Sequence, residues 1–204
     1  MTGDTSPSAL PLLLASSSPQ RRAILRQLGI PFRVVTPAYE ELPLPLAAVA
    51  LVETHARGKA RSVERGPADG AILGVDTAVA IDGDVLGKPV DAQHAREMLE
   101  RLAGREHVVV SGLTLRHDDL ETTDHATTTV RFRPLSSAEL DAYVAEGEWQ
   151  GRAGGYAIQG RGAALVESVD GCYPNVVGLP VALLVRVLLQ NFPADTIDSP
   201  APRP

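Results

Sequence analysis

Apolar and polar positions along the chain follow two alternating patterns: continuous apolar runs and stretches with helical spacing. The runs at 10–14 and 71–75 are continuous, which predicts strands buried on both faces. Apolar side chains recur at helical spacing over 46–63 and 92–102, which predicts two long helices. Further strands are predicted at 32–36, 79–81, 85–86, 107–115, 130–133 and 163–169, and further helices near 24–28, 136–144 and 181–189.

Two local signals refine this pattern. Asp82-Gly83 lies between two short apolar runs and predicts a β-hairpin, and Ser136 with Glu139 predicts a capping box at a helix start. Hairpins among alternating strands and helices favour a mixed sheet over a purely parallel one. We therefore expect one α/β domain over 9–192, between flexible ends at 1–8 and 193–204 that are rich in small polar residues and proline.

Composition and charge narrow the class of protein. The 204-residue chain is 44% hydrophobic and 22% charged, which is ordinary for a globular domain. Its net charge of −6 disfavours a nucleic acid polymer or an acidic membrane surface as partner and favours a small anionic ligand. The single Cys172 excludes an internal disulfide and a cysteine zinc site. The N-terminus lacks a signal-peptide pattern and no apolar stretch is long enough to span a bilayer, so we expect a cytoplasmic protein.

An anion site is predicted where the first strand meets the first helix. Three serines, at 16 to 18, precede Pro19, whose missing N–H suits a first helical turn. The free N–H groups at a helix start attract phosphate, and Arg21 with Arg22 would add formal charge. The simpler alternative is a serine N-cap followed by two solvated arginines.

Two further segments place charged side chains beside strands. Asp76 lies at or near the end of the apolar run at 71–75, where it could act as a general base or metal ligand; the alternative is a polar strand end that caps a turn. Lys88, between Gly87 and Pro89, lies in a constrained bend that could present it to a ligand. An exposed lysine is the alternative for Lys88.

Other candidates are weaker by themselves. Glu41 could supply a second carboxylate for Mg²⁺, although an acidic solvated loop would give the same sequence. Lys59 with Arg57 and Arg61 predicts a basic helix face, which could equally be an ordinary solvated one. The segment 149–162 holds too many glycines for a helix or ordinary strand, and it suits a loop that approaches a ligand closely. In that loop Gln159 can donate and accept hydrogen bonds, as recognition of a nucleobase requires.

Several familiar sites are missing from the sequence. There is no Walker-type phosphate loop and no Gly-x-Ser-x-Gly elbow, which argues against a P-loop nucleotidase, a kinase or a serine hydrolase of that type. The five histidines lack the His-Glu-x-x-His pattern of zinc enzymes, so we expect them to be structural or surface residues.

Taken in order, these segments resemble the Maf family of nucleoside triphosphate pyrophosphatases over about residues 11–190. The resemblance is carried by Leu-Ala-Ser-Ser-Ser-Pro-Gln-Arg-Arg at 14–22, Glu41, Ala-Arg-Gly-Lys-Ala at 56–60, Gly-Val-Asp-Thr at 74–77, Leu-Gly-Lys-Pro at 86–89, Leu-Ala-Gly-Arg-Glu-His at 102–107, Glu-Trp at 148–149, Ala-Gly-Gly-Tyr-Ala-Ile-Gln-Gly at 153–160 and Asn-Val-Val-Gly-Leu-Pro at 175–180. It implies a mixed, elongated, twisted sheet flanked by helices, with two lobes around a nucleotide cleft as in Maf and ITPase-like folds, and a homodimer.

The resemblance also implies a reaction: water attacks the α-phosphorus with help from Mg²⁺ or Mn²⁺ and releases pyrophosphate and a nucleoside monophosphate. By position, Asp76 would be the base, and Asp76 and Glu41 would hold the metal. The implied phosphate-binding residues are Ser18, Arg21, Lys59 and Lys88, with Lys88 counted among the catalytic residues, and Ser16, Gln20, Thr77 and Gln159 complete the substrate-binding set.

The resemblance also bears on substrate preference. Asp-Thr at 76–77 and Ile-Gln-Gly at 158–160 resemble the branch that acts on dTTP and UTP. Gln20, however, stands where many members of the family carry arginine, which leaves modified nucleotides as alternative substrates. The family name is also associated with septum formation, so the alternative function is a nucleotide-binding regulator of cell division that does not require turnover.

Overall fold

A computed structural model describes residues 11–42, 44–67 and 69–191. The predicted flexible segments at 1–8 and 193–204 lie outside the described residues. The elements are β1 (Leu12–Ala15), α1 (Pro19–Gln27), β2 (Phe32–Val35), α2 (Ala48–Arg61), β3 (Ile72–Ile81), β4 (Asp84–Leu86), α3 (Ala92–Leu102), β5 (Glu106–His117), β6 (Leu120–Phe132), α4 (Ser137–Ala145), 3₁₀ turns at Ala153–Gly155 and Arg161–Leu165, β7 (Val166–Asp170), α5 (Tyr173–Val177) and α6 (Val181–Asn191).

The sheet is mixed, as predicted. Within the described chain its seven strands have the order β2-β1-β3-β5-β6-β7, and β4 pairs with the other end of β3. β1 runs parallel to β2 and β3, whereas the remaining pairs are antiparallel. Helices pack on this sheet, which confirms an α/β fold. None of the helices within these described ranges has the length and apolar character needed to cross a membrane.

An opening in the sheet lies beside the middle of β3. β1 pairs with β3 as far as Gly74, and β4 begins to pair at Val79, so no described strand pairs with 75–78 on that side. Because β1 is parallel to β3 and β4 is antiparallel, their carboxyl ends approach this opening from opposite directions. Ligands of open α/β sheets commonly bind outside the carboxyl ends of strands. The topology therefore places the serine loop after Ala15 and the Lys88 bend after Leu86 at the same opening.

The core divides at the same level of β3. Leu73 and Val75 belong to one large apolar cluster, and Val79 and Ile81 on the same strand face belong to another. Thr77 lies between them on this face, since side chains alternate along a strand. Asp76 points to the opposite face, which α2 covers. Thr77 thus separates the two apolar clusters on one face of β3, and Asp76 lies at the same level on the other face.

Helix α2 lies very close to β3. A Cβ added at Gly74 would meet the carbonyl oxygen of Ala56 at 2.2 Å and the backbone nitrogen of Ala60 at 2.9 Å. Only glycine allows this approach. It brings the C-terminal half of α2, including Lys59, against the centre of the sheet.

The structure differs from the local predictions at four places. Residues 163–165, predicted as the start of the strand at 163–169, belong to the 3₁₀ turn Arg161–Leu165, and the strand begins at Val166. The N–H groups of Arg161 and Gly162 at the start of this turn bind the Glu148 carboxylate. The two predicted strands at 71–75 and 79–81 are one continuous strand, β3. The strand predicted at 130–133 begins at Leu120, since its threonine-rich first part pairs with β5 throughout. The short helix α5 was not predicted.

Candidate functional site

The opening beside β3 leads into a cavity of about 800 Å³. Its volume is within the range of roughly 300–1,000 Å³ typical of small-molecule sites. All ten predicted site residues line it: Ser16, Ser18, Gln20, Arg21, Glu41, Lys59, Asp76, Thr77, Lys88 and Gln159. The structure therefore brings together side chains from six separate parts of the chain.

The serine loop and helix α1 form one wall of the cavity. Ser18 is the N-cap of α1 and accepts the Arg21 N–H at 3.4 Å, while Pro19 occupies the first turn, as predicted. The Ser18 hydroxyl also donates to Gln20 Oε1 at 3.1 Å, which orients the Gln20 amide. The expectation that Arg22 would add charge here is wrong, since Arg22 is not among the lining residues.

Arg21 is buried and joins three other elements. Its Nε donates to the Gly178 carbonyl at 2.8 Å, and its terminal nitrogens donate to Ser16 Oγ at 3.0 Å and Thr77 Oγ1 at 3.2 Å. Thr77 Oγ1 lies 2.8 Å from Ser111 Oγ on β5. Burial lowers the pKa of Arg21, although the charges of Asp76 and Glu41 oppose that effect. Arg21 thus fixes the Thr77 hydroxyl while it lines the cavity.

A buried ammonium lies between two carboxylates on the α2 side. Lys59 Nζ is 2.6 Å from Asp76 Oδ1 and 2.5 Å from Glu41 Oε1, and it also contacts the Val75 carbonyl at 3.4 Å. Its side chain is 6% exposed. Burial favours a higher pKa for Glu41, but the hydrogen bond and charge of Lys59, with the charges of Lys88 and His55, hold that pKa below its usual value.

Lys88, unlike Lys59, is exposed. Its ammonium lies 3.7 Å from Glu41 Oε2, and its side chain is 61% exposed. The bend after β4 therefore presents Lys88 at the rim of the cavity, whereas Lys59 is held inside it.

The predicted basic face of α2 is wrong. Arg57 and Arg61 both bind Glu121 on β6, and Lys59 points into the cavity instead. The spacing explains the difference, because residues four apart share a helix face and residues two apart do not.

Sequence reasoning missed His55 and Tyr39. The Tyr39 hydroxyl lies 2.9 Å from His55 Nδ1, and His55 is buried in the cavity wall. Burial, followed by the charges of Asp76 and Glu41, raises the pKa of Tyr39. The sequence could have indicated His55. It lies four residues before the predicted site residue Lys59, and helix residues four apart share a face.

The glycine-rich segment forms the opposite wall. Gln159 is exposed to the cavity in a turn closed by the Gly160 N–H and the Ala157 carbonyl at 3.0 Å. Arg152 and Tyr156, neither predicted, also line this wall. Arg152 Nε is buried without a hydrogen-bond partner in the described parts of the chain.

Tyr156 is anchored from behind by a histidine. Its hydroxyl lies 2.8 Å from His107 Nε2, and burial lowers the pKa of His107 to about 4. His107 is therefore a neutral structural residue near neutral pH. This is the structural role expected for an isolated histidine.

Glu41 and Asp76 are the carboxylates available to a cation in the cavity. Among residues 11–42, 44–67 and 69–191, no group of three or more His, Cys, Asp or Glu side chains is arranged to hold a metal ion. A cation here would therefore have at most a pair of protein carboxylates and would need further oxygen ligands from elsewhere.

Comparisons with known proteins identify the family of this chain. A family model described as Maf-like protein matches residues 11–191. A dTTP/UTP pyrophosphatase of Symbiobacterium thermophilum is 48% identical over 180 residues, covering 88% of this chain and 93% of the relative. A dTTP/UTP pyrophosphatase of Salinibacter ruber is 46% identical over 193 residues, with coverage of 93% and 94%. The family model and these relatives extend over nearly all the described residues, and the chain belongs to the Maf family.

Proposed function

We propose that this protein is a nucleoside triphosphate pyrophosphatase that hydrolyses dTTP and UTP to the nucleoside monophosphate and pyrophosphate. The single observation that carries the proposal is the Asp76 carboxylate, bound to Lys59 and open to a cavity of nucleotide size. The names of the relatives support the same activity.

In this proposal Asp76 is the general base. It accepts a proton from a water molecule whose oxygen attacks the α-phosphorus, and the bond to the bridging oxygen of pyrophosphate breaks as the new P–O bond forms. Lys59, 2.6 Å from Asp76 Oδ1, keeps that carboxylate at the centre of the cavity. General-base catalysis of this kind contributes about 10²–10⁴ in rate.

The phosphates would lie between the serine loop and Lys88. Ser18 caps α1, whose N-terminal N–H groups favour an anion. Lys88 at the rim can move toward the β- and γ-phosphates because its contact with Glu41 is long and exposed. Positive groups placed there offset the charge that develops on the leaving pyrophosphate.

The pair Glu41 and Asp76 suits a divalent metal that is shared with substrate. Mg²⁺ prefers oxygen ligands and commonly takes one or two protein carboxylates, with phosphates and water as the rest. Both carboxylates contact the same ammonium, so they are close enough together to serve one cation. When bound, Mg²⁺ or Mn²⁺ would neutralise phosphate charge and polarise the P–O bonds.

Base preference would come from Gln159, Thr77 and Gln20. Gln159 can donate to O4 and accept from N3–H of uracil or thymine. A flipped amide would match cytosine, so the orientation of Gln159 has to be set by its surroundings. Thr77 is held by Arg21 and Ser111, and Gln20 by Ser18, which gives the base end of the cavity fixed polar groups.

Pyrophosphate release from a panel of nucleoside triphosphates, with Mg²⁺ and with Mn²⁺, tests this function. We expect the highest kcat/KM with dTTP and UTP. Tight nucleotide binding without pyrophosphate release would instead support a binding regulator of cell division.

Homodimer formation stays a prediction, and sedimentation equilibrium at several protein concentrations would check it.

A further inference from the structure

Glu148 lies behind the wall of the cavity that carries Gln159, and its carboxylate accepts three hydrogen bonds. Oε2 accepts the Tyr143 hydroxyl at 2.9 Å and the Gly162 N–H at 2.9 Å, and Oε1 accepts the Arg161 N–H at 3.0 Å. Glu148 itself does not line the cavity. It therefore acts on the chain that follows Gln159 rather than on a ligand.

The Tyr143 hydroxyl holds the chain that precedes Gln159. While it donates to Glu148, it accepts the Ala157 N–H at 3.1 Å. Ala157 begins the turn that contains Gln159, and Gly160 closes it. Glu148 and Tyr143 thus bind backbone groups on both sides of Gln159.

The Glu148 carboxylate packs directly against the backbone of this turn. A Cβ added at Gly160 would lie 1.9 Å from Glu148 Oε1. Tyr156 and Ile158 are buried in the apolar cluster that also contains Tyr143. The side chains before Gln159 are therefore fixed by the core, and the backbone after it by the carboxylate.

We propose that Glu148 is a positioning residue for base selection, holding with Tyr143 the turn that presents Gln159 to the cavity. The proposal rests on the proposed pyrophosphatase function. A turn that is free to tilt would let the Gln159 amide meet the base at more than one position, whereas discrimination between uracil and cytosine requires one fixed position. Rigid backbone contacts to Glu148 let Gln159 favour uracil and thymine over cytosine.

Glu148→Gln tests the proposal, with Glu146→Gln as the matched control. The new amide group would turn an N–H₂ donor toward backbone donors at Arg161 or Gly162. Glu146 instead binds the Arg161 side chain at the surface. We expect the ratio of kcat/KM for UTP to that for CTP to fall about fivefold or more in Glu148→Gln, the factor that corresponds to one hydrogen bond. The ratio in Glu146→Gln should stay at the wild-type value.

A purely structural role would lower turnover of UTP and CTP by the same factor, and an unchanged ratio in Glu148→Gln would overturn the proposal. Adding Glu148→Gln to Gln159→Ala should produce no further change in the ratio, since the effect passes through Gln159; a further change would also overturn it. Tyr143→Phe, which removes only the hydroxyl, should reduce the ratio in the same direction and serves if Glu148→Gln does not fold.

Backbone hydrogen exchange separates this proposal from the proposed function. We expect faster exchange at Arg161 and Gly162 in Glu148→Gln than in the wild type or in Glu146→Gln. If the wild-type protein releases no pyrophosphate from any nucleotide, the pyrophosphatase function fails. Unchanged exchange at these two residues would overturn the role of Glu148 whatever the protein hydrolyses.

Discussion

The Lys59 ammonium donates to Asp76 Oδ1 at 2.6 Å, and the two side chains are only 6% and 12% exposed. One comes from the face of α2 and the other from the centre of β3, so the contact joins a helix to the strand that it covers. A buried ammonium needs a paired charge. Each of the two side chains therefore holds the other in place.

Asp76→Asn should lower kcat by roughly 10² or more, because the amide retains the shape of the side chain but cannot accept a proton from water. Nucleotide binding should persist. Steady-state kinetics with UTP, together with calorimetric binding of UMP, measures both quantities. Wild-type kcat in this variant would remove Asp76 from the role of base.

Lys59→Met should raise the pKa of Glu41, since Lys59 supplies the hydrogen bond and the largest charge effect that lower it. In the wild type, the lowered pKa of Glu41 stabilises the folded protein at pH values above 4.5, which is the ordinary pKa of the group. That contribution is lost as the pH falls through the lower pKa that Glu41 has in the folded protein. The variant should lack this contribution, so its deficit in stability relative to the wild type should be present above about pH 4.5 and should shrink as the pH falls. Urea unfolding between pH 3 and 6 tests the direction, and identical pH profiles would contradict it.

Lys88→Ala and Arg21→Ala should differ in stability although both remove a cation from the cavity. Lys88 is exposed, so its loss should change the free energy of unfolding by less than about 0.5 kcal/mol. Arg21→Ala removes three buried charge-assisted hydrogen bonds, to the Gly178 carbonyl and to the Ser16 and Thr77 hydroxyls, which should cost at least about 2 kcal/mol. Urea unfolding of both variants provides the comparison.

Lys88→Ala should also weaken the binding of triphosphates far more than that of monophosphates, because the charges it would meet lie on the β- and γ-groups. Titration with UMP and with a non-hydrolysable UTP analogue measures the difference. An equal loss for both nucleotides would assign Lys88 to another part of the cavity.

Gln159→Glu should abolish most activity toward dTTP and UTP, because a carboxylate can accept from N3–H but cannot donate to O4. Gln150→Glu adds the same charge to the same wall and is the control for electrostatic repulsion. It should lower activity toward all nucleotides by a similar factor. Fastest turnover of GTP or a methylated guanine nucleotide by the wild type would contradict the proposed preference.

Much of the local structure follows from short stretches of sequence. Pro19 after a serine starts α1, Ser136 and Glu139 form the predicted capping box, and Asp82-Gly83 turns the hairpin with both residues at positive φ. These signals act between residues a few positions apart, so neighbouring side chains and backbone decide them. The ten predicted site residues, by contrast, came from such local segments together with the resemblance to the Maf family, and all ten line the cavity.

What those side chains do together depends on contacts between distant residues. The sequence did not show that Lys59 turns away from Arg57 and Arg61 to lie between Glu41 and Asp76, since that choice follows from the close packing of α2 on Gly74. Nor did it show that Arg161 and Gly162 would bind Glu148 and that 163–165 would form a 3₁₀ turn instead of a strand. Apolar periodicity reports which residues are buried. It carries no information about which buried polar group meets which partner, and the folded backbone alone decides that.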